Sequence, residues 1–526
     1  MAKPPGAKLF VREATGLVRQ LSSFDVFVWS VIYFPWLTSW AGIFWVTPSY
    51  FQNVNYYAGL ALWAVVALVI VLLYWQVTVI MPRAGGDYIF ISRSTTGILG
   101  FVASFLFLMG VVASAGGGSY WAFAETGTQL SFGGQVLNDP NIAALGSLIT
   151  PWETSNPTLL FSVGLVLMIV GGVAIALGGK VFRMIVYSFF AYGLLVLGFS
   201  VIVFLTHSPA DFTAAYARYF QGGVPQVFSD AAAKGYAPGT SLVALGALVP
   251  VLFVSIGPYP VMQMVGGEVK NPRRSLLYGL VLAEVVSILV WFGLTYLFDS
   301  VIGISFLEAW TLTAGGGFST VPTVFVTLFY PSAALLWFVC IGLFIGNIGW
   351  SWLGIVFMSR LLMSWSFDRV FPSAFANVNE RFHTPHVAIA LSVVLATISM
   401  YLIYFTSFIT AQVNGIFLFS IVWLVTAISA IILPFRRKSL FESSAGRSRI
   451  GGVPVISLLG VVGAILFAWL AYNATTNPAV GSLAPSAQLF VSVLVIVPIV
   501  IFAASYFYNK SRGIDLRLVA GELPPD

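Results

Sequence analysis

Pro35-Trp36-Leu37-Thr38-Ser39-Trp40-Ala41-Gly42 interrupts the first apolar segment of the chain, 24–50, and Ser255-Ile256-Gly257-Pro258-Tyr259-Pro260 interrupts a later one, about 241–265. Proline has no backbone N–H to give to a helix, and glycine gains little from staying in one. Neither stretch therefore continues as a regular helix. Backbone N–H and C=O groups left unpaired at membrane depth are tolerated only where they line a cavity or bind something. Two such breaks, set about half a chain apart, predict a matched pair of binding segments.

The membrane setting follows from composition. Of 526 residues, 59% are hydrophobic and 8% charged, with a mean hydropathy of +0.95. A soluble domain carries about a quarter charged residues, so this chain cannot cover a water-facing surface. Apolar runs repeatedly reach the roughly 20 residues that cross a bilayer. Twelve spans are expected, at 24–50, 57–81, 97–125, 157–179, 182–206, 242–266, 275–300, 322–358, 386–406, 410–434, 453–473 and 487–508, the eighth long enough to extend beyond the hydrocarbon. The expected fold class is an all-α polytopic membrane protein.

Lys and Arg give the orientation. With the N-terminus inside, every basic residue except Arg218 and Lys234 falls in an inward segment, among them Lys3, Arg19, Arg83, Arg93, Lys270, Arg360 and Lys510. This positive-inside bias predicts two cytoplasmic termini and accounts for the net charge of +6 without a nucleic-acid partner. The one cysteine, Cys340, lies in an apolar span and offers neither a disulfide nor a cysteine-based metal site. The three histidines, His207, His383 and His386, do not group with acids, and no phosphate-binding glycine loop is present. No metal and no cofactor are expected, and the plasma membrane of a bacterium or archaeon is the expected location.

The breaks fall in the first and sixth spans. An offset of five, an odd number, places two copies of one unit in opposite orientations across the membrane. The expected organisation is a cytoplasmic tail (1–23), a first repeat (24–206, spans 1–5), an extracellular loop (207–241), a second repeat (242–434, spans 6–10), two additional helices (435–508) and a cytoplasmic tail (509–526). The outward loops 126–156 and 207–241, rich in Gly, Ala, Pro and Ser, read as partly ordered caps.

Three inward-facing motifs carry a family resemblance. Met81-Pro82-Arg83-Ala84-Gly85-Gly86-Asp87-Tyr88 follows span 2, and Gly267-Glu268-Val269-Lys270-Asn271-Pro272-Arg273-Arg274 follows span 6. Ser359-Arg360-Leu361-Leu362 through Phe371-Pro372, then Arg381-Phe382-His383-Thr384-Pro385, follow span 8. In this order and on this side, the chain resembles the amino acid–polyamine–organocation (APC) superfamily of permeases over essentially its whole length. The resemblance implies a LeuT-like fold, a 5+5 inverted repeat plus two helices, and secondary active transport of amino acids by alternating access. It implies no enzymatic activity. The chain departs from the family in span 1: members carry Gly-x-Gly-Ile-Phe, whereas here Trp40-Ala41-Gly42-Ile43-Phe44 lacks the first glycine. The distance from Asp25 to Gly42 is also about three residues longer, which moves the expected unwound stretch to Pro35–Ser39.

Physical chemistry assigns roles to these residues. The second half of span 1 points its free N–H groups and positive dipole end into the cavity, suiting an anion such as a carboxylate. Pro35, Trp36, Leu37, Thr38, Ser39 and Gly42 form that side of the expected site. Phe253, Ser255, Ile256, Gly257, Pro258 and Tyr259 form the other, with exposed carbonyls suited to an ammonium group. The bland alternative is a pair of proline kinks without a ligand. Asp87, Glu268, Lys270 and Arg274 are candidates for an inner gate through ion pairs that change between states; the alternative is simple anchoring of loop ends. Gly85-Gly86 permits a tight turn there.

Coupling stays open among sodium, protons and exchange. Asn347 and Ser351 offer oxygens for a sodium ion, and Glu284 is the deepest acid, either a proton carrier or a structural partner of a neighbouring helix. Asp25, Glu125 and Asp299 lie near span ends, where water accounts for them. The broken segments contain no acid, which disfavours polyamines and metal ions as substrates and leaves amino acids, with nucleobases or other small nitrogenous solutes, or an exchange mode, as alternatives. A sensor would need an output domain, and the short tails hold none. The expected partners are a small-molecule substrate, the bilayer and a co-transported sodium ion or proton, for a monomer or homodimer.

Overall fold

Helix starts fall where the sequence supplies caps. Asn55 accepts a hydrogen bond from Ala58 N at 3.0 Å, and Asp139, Asn156 and Ser208 each cap a helix whose first residue is a proline. Proline suits that position because its missing N–H would have no acceptor there. In the computed structural model, residues 17–44, 54–154, 156–237, 239, 242–257, 261–313, 321–406, 415–476 and 485–519 are described.

The helices are Ser23–Tyr33 (α1), Trp36–Phe44 (α2), Tyr56–Ile80 (α3), Gly86–Ser94 (α4), Gly97–Leu137 (α5), Pro140–Ile149 (α6), Pro157–Ala176 (α7), Gly179–Leu205 (α8), Pro209–Tyr219 (α9), Gly223–Ala233 (α10) and Leu242–Ile256 (α11). After two 3-10 turns, Val261–Met264 and Gly266–Glu268, come Pro272–Val301 (α12), Ile304–Thr313 (α13), Val324–Phe329 (α14) and Ala333–Phe367 (α15). The remainder are His386–Phe405 (α16), Gly415–Arg436 (α17), Lys438–Ser443 (α18), Val455–Thr476 (α19), Pro485–Ser511 (α20) and Leu516–Val519 (α21). A single short hairpin pairs Arg449–Ile450 with Val453–Pro454 among the described residues.

Among the described residues, eleven helices are long and apolar enough to cross a membrane, counting α1 and α2 as one. The chain is an all-α polytopic membrane protein. Twelve spans were expected from the sequence; the sixth, 242–266, is represented by α11 with 15 residues, followed by 3-10 turns. Two further expectations are corrected. Span 3 does not end at Glu125 but runs on to Leu137, and span 8 is α15, separated from the short α14 by Tyr330-Pro331-Ser332. The loops 126–156 and 207–241 hold α6, α9 and α10, and the cap-plus-proline starts of α6 and α9 were legible in Asp139-Pro140 and Ser208-Pro209.

The centre of the bundle is the antiparallel pair α5 and α15, 41 and 35 residues long. At about 1.5 Å per residue both exceed the ~30 Å hydrocarbon thickness. Small residues let the two backbones approach: Gly118 faces Ser351, and Gly354 faces Ala115. At one end Gly133 meets Leu336, and at the other Trp365 Nε1 donates to Ser104 Oγ at 2.9 Å. The peripheral helices turn large apolar side chains outward, including Leu195 of α8, Leu289 of α12 and Ile465 of α19, each about two-thirds exposed. In water such surfaces are unstable; against hydrocarbon they are the expected exterior.

Candidate binding site at the interrupted helices

Pro35 divides the first span. Phe34, forced out of the helical region by the proline ring that follows it, takes φ −132° and ψ 76°. Helix restarts at once, and its first bond is Ser39 N to Pro35 O at 2.8 Å. Trp36, Leu37 and Thr38 thus hold the N–H groups that helix geometry leaves without an intrahelical acceptor. The break is narrower than the sequence suggested: Trp36–Ser39 is the first turn of α2, because proline is well suited to begin a helix although it ends one.

The two interrupted segments pack together. A Cβ placed on Gly42 would lie 3.0 Å from Ser255 Cβ, so α2 and α11 meet at these two residues. Ser255 Oγ donates to Val251 O at 3.2 Å, and Ile256 and Gly257 close α11 in a buried setting. Phe253 is fully buried between the rings of Trp63 and Trp423. Pro258 and Tyr259 lie outside the described residues.

The other residues of the first break turn to separate neighbours. Trp36 Nε1 donates to Ser287 Oγ of α12 at 2.9 Å. Leu37 lies on Gly342, and the Thr38 methyl lies on Gly346, both in α15. Ser39 is buried. An apolar crevice between the α1–α2 junction, α8 and α15 is lined by Ile32, Pro35, Leu37, Phe190, Gly193 and Gly346. Sequence reasoning missed Tyr33, which ends α1 at the break, reaches Ser114 Oγ of α5 at 3.4 Å and packs on Phe357. It also missed Trp40, fully buried against Phe204, whose Nε1 has no hydrogen-bond partner among the described residues.

The candidates for ion coupling are dispersed. Asn347 Nδ2 donates to Glu125 Oε2 at 2.8 Å and Ser351 Oγ to Ala115 O at 2.6 Å, so both turn to α5. Glu284 is buried in α12, just after a π-helical turn at Leu277–Val281, and its Oε1 has no partner among the described residues. It stands three residues before Ser287, the anchor of Trp36. Glu125 is bound to Asn347 rather than simply hydrated. Asp25 is likewise not a solvated end: it is buried, completes a capping box with Ser22, and accepts from Tyr187 at 2.5 Å with Arg183 at 3.7 Å.

The three motifs meet at one end of the bundle. Glu268 is held by Arg360, Nε to Oε1 at 2.8 Å and Nη2 to Oε2 at 3.2 Å, both residues buried. The expected partners lie elsewhere, Lys270 exposed and Arg274 over the Tyr278 ring. The chain before α1 is sewn to the same segment: Gln20 N and Leu21 N donate to Glu268 O, each at 2.9 Å, and Lys270 N donates to Leu21 O at 2.8 Å. Arg93 grips Asp368 at 2.5 and 2.9 Å, and Tyr88 donates to the same carboxylate at 2.8 Å. Gly85 and Gly86, with φ of 101° and 45°, make the tight turn that starts α4. Asp87 follows, fully buried, and accepts from Tyr74, Thr426 and Gln263. Burial pushes its carboxyl up to about 6, against the pull of those three bonds.

At the other end Asp299 accepts from Tyr57 and from Ile304 N, each at 2.9 Å. Glu308 accepts from Tyr236 at 2.8 Å, and burial raises its carboxyl to about 7, with that bond opposing and Asp299 adding to the rise. Among the described residues no group of three His, Cys, Asp or Glu side chains is arranged to hold a metal ion.

A search of curated protein sequences gives no significant match. Residues 26–502 match the family model described as Amino acid permease, which covers both interrupted helices and all three inward motifs. The chain belongs to the amino acid permease family of the APC superfamily, a family of transporters and not of enzymes.

Proposed function

We propose that this protein is a secondary active transporter that moves amino acids across a plasma membrane by alternating access, with substrate held where α2 begins and α11 ends. One observation carries the reading: α2, which starts at the first interruption, packs its second turn at Gly42 against Ser255 in the last turn of α11, which ends at the second interruption, more than two hundred residues later. A carboxylate suits the N–H groups of Trp36, Leu37 and Thr38, strengthened by the α2 dipole. An ammonium group suits the terminal carbonyls of α11, near Ser255, Ile256 and Gly257. Phe253 walls the site, and Pro258 and Tyr259 complete the second break.

Glu268, Asp87, Lys270 and Arg274 belong to the inner gate in this proposal, with Arg360 as the cation that Glu268 must leave on opening. The five-plus-five inverted repeat and cytoplasmic termini of a bacterial or archaeal protein complete the scheme. Glu284, Asn347 and Ser351 are the candidate coupling residues, for a proton in the first case and sodium in the other two. The test is uptake of labelled amino acids into liposomes containing the purified protein, with sodium and proton gradients imposed separately. Saturable uptake of one amino acid class driven by one ion supports the reading, and exchange from preloaded liposomes alone would make the protein an exchanger. Silence with every amino acid, but uptake of a nucleobase, would overturn the substrate class.

A further inference from the structure

Four buried carboxylates cluster at the end of the bundle that carries the inward motifs, and three of them face a cation. Glu268 has Arg360, Asp368 has Arg93, and Asp25 has Arg183. Asp87 faces none among the described residues. Instead its Oδ1 accepts from Tyr74 Oη at 2.7 Å and Thr426 Oγ1 at 2.6 Å, and its Oδ2 accepts from Gln263 Nε2 at 2.6 Å. The donors come from α3, from α17 and from the 3-10 turn Val261–Met264, where the chain resumes after the second interruption. Three donors and no acceptor describe an ionised carboxylate, because such bonds are short and strong when the acceptor is charged. One acceptor beside it is idle: Gln263 Oε1 is buried with no hydrogen-bond partner among the described residues.

We propose that Asp87 is a proton-binding site: ionised, it latches the Val261–Met264 turn to α3 and α17, and protonated from the cytoplasm it releases that turn so that the inner gate opens. The proposal rests on the alternating-access reading above. On protonation the proton sits on Oδ2, and the Gln263 amide turns over so that Oε1 accepts from the new O–H, which replaces a charge-assisted bond by a weaker neutral one and so loosens the hold on the turn. Tyr74 and Thr426 are then left bonding a neutral carbonyl oxygen, and the charge-assisted contacts are lost.

The surroundings leave Asp87 as the group that titrates. From α3 the bonded phenol of Tyr74 faces it, and neither α3 nor α5 before Glu125 carries a charged residue. From α4, Arg93 and Tyr88 are committed to Asp368, which caps the end of α15, and Arg360 of α15 to Glu268. Along α17 the first charged residue is Arg436, at its far end. Burial lifts the carboxyl to about 6, which places the change near that pH.

The test reads the gate without a substrate. Ala84 is bridged to Val265 across the latch, and Gly85 N donates to Met264 O. In full-length protein reconstituted in nanodiscs and carrying Cys340→Ser and Ala84→Cys, labelling by a charged maleimide is followed from pH 5 to 8, and each rate is divided by that of the same protein with Asp87→Asn. The ratio cancels the thiol's own titration. It is expected to rise about ten-fold as pH falls through 6, because Asp87→Asn mimics the released state at every pH. Thr426→Val, which keeps the carboxyl and removes one donor, is expected to raise the midpoint by about one pH unit, the usual effect of one hydrogen bond to a charged group. A ratio constant across pH, or a midpoint unmoved by Thr426→Val, would overturn the latch. Failure of amino acid uptake leaves this readout untouched, so the two proposals fall separately.

Discussion

The Arg360 guanidinium grips the carboxylate of Glu268, 92 positions earlier in the chain, through two hydrogen bonds in a buried setting. A buried pair adds little net stability over an apolar substitute, yet removing one partner strands the other charge. Arg360→Met is therefore expected to cost about 3–5 kcal/mol, and Glu268→Gln with Arg360→Met together much less than the sum. Thermal unfolding in detergent checks this, and equal losses in the single and double variants would show that the two residues do not act as a pair.

Gly42 and Ser255 set the distance between the interrupted helices. Gly42→Leu drives side-chain bulk into Ser255, and Gly257→Leu drives it toward the Phe253 carbonyl. Each is expected to lower uptake at least ten-fold while the protein remains folded in the membrane. Near-normal transport by either variant, at equal protein level, would remove that residue from the site.

Glu284 is buried with an unpartnered oxygen, so a neutral amide of the same shape suits its position. If its role is structural, Glu284→Gln keeps the rate and pH dependence of proton-driven uptake and holds or raises the unfolding temperature. Uptake that no longer responds to a proton gradient would make Glu284 the proton carrier instead.

Glu308 makes stability depend on pH in a stated direction. Its carboxyl titrates near 7 when folded and near 4.5 when unfolded, so the folded state holds the extra proton between those values. The stability it contributes is present below about 4.5 and is lost as pH rises through 7. Glu308→Gln removes that loss, and the unfolding temperature of the variant relative to the parent is expected to rise from pH 5 to pH 8. Tyr236→Phe deletes the donor that favours the ionised form, and moves the transition to higher pH.

Short-range signals in the sequence predicted the fold well, and long-range pairing was hidden. Pro35 marked the first break because a proline constrains its predecessor, but its compatibility with a helix start made the break look four residues too long. Asp139-Pro140 and Ser208-Pro209 were legible starts of α6 and α9, overlooked because the loops around them are poor in apolar periodicity. Nothing local to Glu268 points to Arg360, and the near neighbours Lys270 and Arg274 were the obvious partners. Asp25, read as hydrated at a span end, is instead folded back on Ser22 and Tyr187. The Gly42–Ser255 contact joins two motifs that the sequence had already flagged, although it gave no distance between them.

The ladder between Leu21 and Val269 has a mechanical result. Backbone bonds from Gln20, Leu21 and Lys270 splice the stem of α1 to the segment that follows the second interruption. Such bonds do not depend on charge, salt or side-chain identity, whereas the Glu268–Arg360 and Asp87–Gln263 contacts do. The two stems thus form one crossbar, held to α15 by Glu268–Arg360 and to the start of α4 by Asp87–Gln263 and the Gly85–Met264 backbone bond. In the alternating-access scheme proposed above, opening this end breaks the side-chain contacts while the backbone bonds keep the two stems moving as one unit.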